Sequence, residues 1–114
     1  MSDNTISDNT IVVGIDGSES ADRAVVWAAQ TAASRSRPLR IVTAVELPTH
    51  LKDDQIAESR AIAGSRLAAA ETLAREVVTE PPISVTTDAP EGNAIDVLIA
   101  ESANAAMIVV GESG

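Results

Sequence analysis

The chain contains no cysteine, no phenylalanine, no tyrosine and one tryptophan among its 114 residues. The lack of cysteine excludes disulfides, thiolate nucleophiles and thiolate metal sites. With Trp27 as its one aromatic side chain, the chain offers no platform on which single-stranded bases could stack. Its hydrophobic residues, 45% of the sequence, are mainly Ala, Val, Ile and Leu, and a core of such small side chains lets helices pack close to a sheet.

Positive charge is also scarce. The chain has 8 Lys and Arg residues against 17 Asp and Glu residues, which gives a formal net charge of −9. A field of this sign repels nucleic acid and anionic membrane, so we expect neither as a partner. No apolar run approaches the roughly 20 residues of a membrane-spanning helix, and the N-terminus does not have the pattern of a signal peptide. The sequence therefore predicts a cytoplasmic protein.

Two apolar runs end in the same way. Residues 11–15 stop abruptly at Asp16 and a Gly-Ser turn that leads into a helical pattern, and residues 106–110 stop at Gly111. This is typical of buried parallel strands. Ligands of such sheets bind outside the carboxyl ends of the strands, where the strand order reverses, so Asp16 and Gly111 are the first candidates for a site.

Helical and strand patterns alternate between these two runs. We predict a disordered leader over residues 1–10, which holds a pentapeptide repeat, and a single domain over residues 11–114. The predicted elements are a strand at 11–15, a helix from Ser18 or Ser20 to near Ser36, a strand at 39–46, a helix at 55–79, an edge strand at 83–87, a helix capped by Asn93 and a strand at 106–110. This order predicts an α/β protein with an open parallel sheet and helices on both faces.

The helical periodicity predicts which side chains are buried. The first helix repeats small residues at spacings of three and four, and Trp27 is predicted to pack at the edge of the core. The helix capped by Asn93 is predicted to turn Ala94, Val97 and Leu98 inward.

The chain resembles the universal stress protein family. The resemblance rests on residues 11–18, 24–29, 38–45, 91–94 and 108–114. The family fold is a Rossmann-like, five-stranded parallel sheet of the adenine nucleotide alpha hydrolase type, in the order 3-2-1-4-5. The resemblance implies this order with strand five missing, hence a C-terminally incomplete domain. It also implies that Asp16 and Gly111 face each other across the cleft.

The resemblance also implies an adenine nucleotide, ATP with Mg²⁺, as the ligand. The position matching Asp16 contacts the adenosine part in nucleotide-binding members, and those matching Gly14 and Ile15 line the pocket. The position matching Val45 offers backbone hydrogen bonds to adenine. The glycine loop that wraps the ribose and phosphates is matched here by Val110, Gly111 and Gly114.

Two departures from the family pattern argue against tight ATP binding. The second Gly-Ser of the phosphate loop is missing, and Glu112 brings a carboxylate into that loop, where it would repel phosphate. An alternative role for Asp16 is purely structural, as a carboxylate that accepts N–H bonds from the turn that follows it.

Three hypotheses follow. The first is a nucleotide-binding regulator of the stress response that is not an enzyme, since Asp16 is the lone candidate acid or base. The second is a member or fragment without nucleotide binding that acts through protein contacts, with the unpaired edge of strand four favouring self-association or a homodimer. The third, a phosphoacceptor domain, is disfavoured because the expected second acid and Lys are absent.

Overall fold

A computed structural model describes residues 9–80 and 82–111. Its elements are β1 Ile11–Gly14, α1 Glu19–Ser34, β2 Leu39–Val42, α2 Asp53–Val77, β3 Val85–Asp88, α3 Ala94–Ser102 and β4 Met107–Val110. All strand pairs are parallel, and the sheet order is β3-β2-β1-β4. The open parallel α/β fold and the first four places of the expected order are confirmed.

The central strand, β1, is covered on both faces. Ile11 and Val13 belong to the core formed with α1 and α2, whereas Gly14 faces Leu98 of α3 on the opposite side. Val12 is also on that side and is 1% exposed. A strand that is buried on both faces has a continuous apolar sequence rather than an alternating one, which explains the unbroken run in this segment.

Helix α1 presents a face of small residues to the sheet. The small residues that repeat at spacings of three and four are buried, as predicted: the buried residues of α1 are Ala21, Ala24, Val25, Ala28, Ala29 and Ala32. Trp27 differs from its prediction, because 51% of its surface is exposed. It lies outside the buried stripe of α1.

Helix α2 begins and ends two residues earlier than predicted. The reason lies at its start, where the side-chain carbonyl of Gln55 accepts a hydrogen bond from the Lys52 N–H at 2.9 Å. This contact fixes the first turn at Asp53 instead of Gln55. The buried residues of α2 are Ala63, Leu67, Ala70 and Ala74, and Val77 is partly buried.

One of the three residues of α3 that were predicted to point inward is exposed. Val97 is buried and Leu98 is half-buried, as expected, but Ala94 is exposed. Asn93 caps the helix by accepting the Asp96 N–H at 2.8 Å, which makes Ala94 its first residue. That residue lies beyond the ends of the strands and therefore meets a cleft rather than the sheet.

The boundary of the predicted leader also needs correction. Residues 1–8 lie outside the described part of the chain. Thr10, however, is buried, and its carbonyl accepts a hydrogen bond from the Ala106 N–H at 2.9 Å. The folded domain therefore includes Thr10, because this residue leads β1 into the sheet beside β4.

Across residues 9–80 and 82–111, no helix is both long and apolar enough to cross a membrane.

An ionic network ties α3 to the sheet. Arg40, in the middle of β2, donates to Glu101 of α3 at 2.8 and 3.0 Å and to Asp88 of β3 at 3.0 Å. The Arg40 and Glu101 side chains are only 17% and 16% exposed. Hydrogen bonds to Glu101 are the main reason that the pKa of Arg40 is raised above its usual value. Arg40 therefore stays charged and anchors the end of α3.

We predict that Arg40→Ala destabilises the domain by about 1–3 kcal/mol, because it leaves the Glu101 carboxylate partly buried and unpaired. Arg75→Ala is the matched control, since Arg75 pairs with Glu71 on the exposed face of α2, and its loss should cost about 0.5 kcal/mol or less. Urea unfolding measures both. Equal losses of unfolding free energy in the two variants would contradict the role of Arg40 as the anchor of α3.

Candidate functional site

A cleft of about 270 Å³ opens at the carboxyl ends of the strands. It lies at the point where the strand order of the sheet reverses. Strand β1 pairs with β2 on one side and with β4 on the other. Its lining residues are Gly14, Ile15, Asp16, Val42, Ala44, Ala94, Val97, Leu98, Val110 and Gly111. Among the predicted site residues, the structure thus brings Gly14, Ile15, Asp16, Val110 and Gly111 together.

Asp16 forms a tight turn with Ser18. Asp16 Oδ1 accepts the Ser18 N–H at 3.0 Å and the Ser18 hydroxyl at 2.6 Å. Gly17 lies between them with φ +86°, in the left-handed region that favours glycine. Ser18 Oγ in turn accepts the Ala21 N–H at 3.2 Å and so caps α1. Asp16 therefore accepts hydrogen bonds from the turn that follows it, as the structural alternative predicted. These hydrogen bonds use only one of its two carboxylate oxygens.

The second oxygen, Asp16 Oδ2, makes no hydrogen bond to any other described residue, since both hydrogen bonds from Ser18 go to Oδ1. Hydrogen bonds from the Ser18 side chain and N–H lower the pKa of Asp16 below its usual value, with a smaller effect from the positive charge of Arg66. Asp16 is exposed and ionised at neutral pH. It offers an acceptor to the cleft and has no proton to donate.

Gly111 allows β4 to reach the start of α1. A Cβ at Gly111 would lie 2.6 Å from the Ser20 carbonyl group and 2.8 Å from the Ala21 nitrogen. Both are backbone atoms that cannot move aside cheaply. Gly14 has a milder constraint, since a Cβ there would lie 3.1 Å from Leu98 Cδ2. Glycine at these two positions keeps the two sides of the cleft close together and its floor open.

Val45 does not line the cleft. Its N–H donates to the Pro90 carbonyl and its carbonyl accepts the Gly92 N–H, both at 2.9 Å, so its backbone is already paired with the loop before α3. Ala44 lines the cleft instead. No other described residue hydrogen-bonds to the N–H or the carbonyl of Ala44. The end of β2 therefore presents Ala44, the neighbour of the predicted residue.

Sequence reasoning missed Ala44, Thr43 and the wall formed by α3. Thr43 is buried and its hydroxyl donates to the Ile15 carbonyl at 2.9 Å, which fixes the end of β2 beside that of β1. The signal for Ala44 was strand parity, because alternate residues face alternate neighbours in an extended chain. Nothing local in the sequence marked Val97 and Leu98 as cleft residues.

Gly114 lies outside the described residues. Within residues 9–80 and 82–111, no three His, Asp or Glu side chains come together in a way that could hold a metal ion.

The fold and the cleft define a doubly wound α/β protein with a cleft at the strand switch point. The model of the universal stress protein family matches residues 9–114. The chain belongs to this family.

Similar proteins with curated names are also universal stress proteins. Universal stress proteins Rv2028c and Rv2624c of Mycobacterium tuberculosis (strain ATCC 25618 / H37Rv) are each 38% identical to it, over 110 and 105 residues. Each alignment covers 92% of this chain and 38% of the relative. The chain thus spans well under half the length of these two relatives.

The fold is also similar to that of solved structures. A universal stress protein in complex with cAMP is 28% identical with a TM-score of 0.69, over 93% of this chain and 77% of that one. Protein Rv1636 from Mycobacterium tuberculosis H37Rv is 29% identical with a TM-score of 0.67, over 97% and 76%.

We predict opposite effects for the same substitution at two glycines. Gly111→Ala should destabilise the domain by about 1–3 kcal/mol, because its methyl group meets backbone atoms of α1. Gly64→Ala should stabilise it by about 1 kcal/mol, because Gly64 is inside α2 and a Cβ there would have no atom within 4 Å. Urea unfolding measures both, and a neutral Gly111→Ala would refute the close approach of β4 to α1.

We predict that Ser18→Ala raises the pKa of Asp16 toward its usual value and destabilises α1 by about 0.5–2 kcal/mol through loss of the cap. In the wild type the folded-state pKa is lowered, so this stabilisation is present above the unfolded-state value near 3.8 and is lost as the pH falls through the folded-state value. The variant should lose less stability on acidification.

NMR titration of the Asp16 carboxyl carbon and urea unfolding at neutral and acid pH test this prediction. Ser20→Ala is the control, because Ser20 contacts the Ser18 hydroxyl at 3.0 Å and makes no hydrogen bond to Asp16. An unchanged Asp16 pKa in Ser18→Ala would contradict the claim that the Ser18 hydroxyl lowers this pKa.

Proposed function

We propose that this chain binds an adenine nucleotide in the switch-point cleft and acts as a regulator in the stress response. The observation that carries the proposal is a set of polar groups at one apolar cleft to which no other described residue hydrogen-bonds: Asp16 Oδ2 and the backbone N–H and carbonyl of Ala44. A few polar groups converging in an apolar pocket are typical of small-molecule sites. The similar universal stress protein in complex with cAMP supports a nucleotide as the ligand.

The order of the strands suggests how the ligand lies. Ala44, at the end of β2, offers a donor and an acceptor to the edge of the base, with Val42 and Ile15 beside it. Asp16, at the end of the middle strand, accepts hydrogen bonds from ribose hydroxyl groups. Gly111, at the end of β4, leaves its backbone accessible to the phosphate side. The side chains of α3 cover the sugar and base from one face.

The same residues favour binding over catalysis. Among the described residues, the ten that line the cleft include no Lys, His or second carboxylate that could act with Asp16. Acid–base catalysis needs a group that changes its protonation near neutral pH. The hydrogen bonds from Ser18 keep the pKa of Asp16 well away from that range. The bound nucleotide therefore acts as a signal rather than a substrate. The cytoplasmic location stays a prediction from the sequence.

We predict that at least one of Mg-ATP, cAMP and adenosine binds with micromolar affinity in calorimetric titration, and that Asp16→Ala weakens this binding roughly ten-fold or more. Glu76→Ala is the matched control, because it removes one exposed carboxylate from α2 at the opposite end of the sheet. The proposal fails if none of the three ligands produces binding heat with the wild type. It also fails if both variants bind as the wild type does.

A second candidate function, contact with another protein, rests on an exposed apolar patch. The patch consists of Ile95 and Ile99 of α3 and Val110 of β4, which are 71%, 64% and 53% exposed. Ile95 and Ile99 are one helical turn apart on the same face of α3. In the described sheet β4 has a neighbour, β1, on one side only. Unpaired apolar edges favour pairing with another chain, and we propose a second copy of this chain as the partner.

We predict that the sedimentation coefficient of the wild type rises with concentration. The double variant Ile95→Lys, Ile99→Lys should stay monomeric, because burying the added charges would cost more than the patch contributes. Arg75→Ala serves as a surface control. A wild-type monomer with a sharp melting transition that does not depend on concentration would contradict self-association.

A further inference from the structure

No described strand pairs with the outer edge of β3. Strand β3 stands at the end of the described sheet and pairs only with β2. On that side, the carbonyls of Ser84 and Asp88 accept backbone N–H groups at 2.8 and 3.2 Å. Alternate residues of a parallel strand direct their backbone groups to the same neighbour. The peptide groups of Val85 and Thr87 therefore point away from β2, to the outside of the sheet.

This edge lacks the features that normally protect an edge strand. Natural sheets block their edges with Pro, Lys, a bulge or a covering segment. Residues 83–88 contain neither Pro nor Lys, and the register with β2 runs without a bulge. Thr86, Thr87 and Asp88 are exposed. The strand is also rich in β-branched residues, which favour an extended backbone, so its edge is ready to accept another strand.

The charge around this edge has one sign. The 8 Lys and Arg residues of the chain all precede position 76, and every charged residue in 76–111 is acidic. Glu80 is exposed in the connection that leads into β3, and Asp88 is the last residue of the strand. The ion pair of Asp88 with Arg40, at 3.0 Å, leaves 54% of the Asp88 side chain exposed. The free edge is thus flanked by a carboxylate at each end.

This charge discriminates between the possible partners of the edge. A second copy of the chain would bring the same acidic residues toward one another, because β3 and its flanks carry no Lys or Arg, and like charges across paired strands are destabilising. A strand that carries Lys or Arg would instead be attracted at both ends, which favours its encounter and suppresses wrong partners.

We propose that the free edge of β3 binds an extended, cationic segment of another protein as an additional strand of the sheet. Val85 and Thr87 supply the main-chain hydrogen bonds, and Glu80 and Asp88 attract the basic side chains of the segment. Main-chain pairing of this kind gives affinity, and the flanking side chains give specificity. Because β3 is only 4 residues long, the complex is transient.

Hydrogen exchange of the ¹⁵N-labelled protein tests this arrangement. In the free protein the amides of Val85 and Thr87 should exchange faster than those of Thr86 and Asp88, which donate to β2. A lysine-flanked peptide of alternating valine and threonine should protect Val85 and Thr87. A glutamate-flanked peptide with the same core is the matched control and should bind roughly ten-fold or more weakly at low salt.

A proline substitution tests the backbone contact. Thr87→Pro removes the outward N–H and leaves the pairing with β2 intact, and proline is tolerated where the N–H of an edge strand faces solvent. It should weaken binding of the lysine-flanked peptide roughly ten-fold or more, whereas Thr87→Ala, which keeps the N–H, should stay within about two-fold of the wild type. Should Thr87→Pro unfold, a lysine-flanked peptide with methylated backbone nitrogens should show the same loss on the wild type.

Three results would overturn the proposal. The first is equal binding of the two peptides, or no binding of the lysine-flanked peptide at millimolar concentration. The second is protection at residues other than Val85 and Thr87. The third is protection of these two amides in the free protein that rises with protein concentration, because a second copy would then occupy the edge.

Discussion

The structure depends on the pairing of β1 with a strand on each side. Gly14 is in register with both Val42 and Val110, so the carboxyl ends of three parallel strands meet at one line. The chain must turn sharply there, and Asp16 and Ser18 make that turn through a side-chain hydrogen bond of 2.6 Å. The hydrogen bonds from Ser18 lower the pKa of Asp16 and use only one of its carboxylate oxygens, and the same Ser18 hydroxyl accepts the Ala21 N–H and so caps α1. Fold, helix capping and site chemistry are thus consequences of one strand end.

The elements that depend on local sequence were predictable. The buried face of α1 follows from the spacing of its small residues, and the Ser18 cap follows from a serine three residues before the Ala21 N–H. The continuous apolar run of β1 predicted a strand covered on both faces, although it could not show which helix covers which face. The strand order was available from the family resemblance and not from the residues alone, because distant parallel pairings leave no local pattern.

The details of the cleft could not be predicted, because they depend on contacts between distant segments. Val45 was expected to offer its backbone to a ligand, yet the loop at Pro90 and Gly92 pairs with it, and the neighbouring Ala44 takes the position at the cleft. Ala94 was expected to be buried in the sheet, but the Asn93 cap starts α3 beyond the strand ends. A shift of one residue reverses the side to which a strand residue points, and only the tertiary structure fixes that shift.

The central proposal is that the cleft between Asp16, Ala44 and Gly111 binds the adenosine part of an adenine nucleotide. The most direct test is to follow backbone amide shifts of the ¹⁵N-labelled protein by NMR while adenosine is added. The account predicts saturable changes that are largest at these three residues and at Val97 on the facing wall of α3. Changes confined to the exposed face of α2, or none at millimolar adenosine, would contradict it.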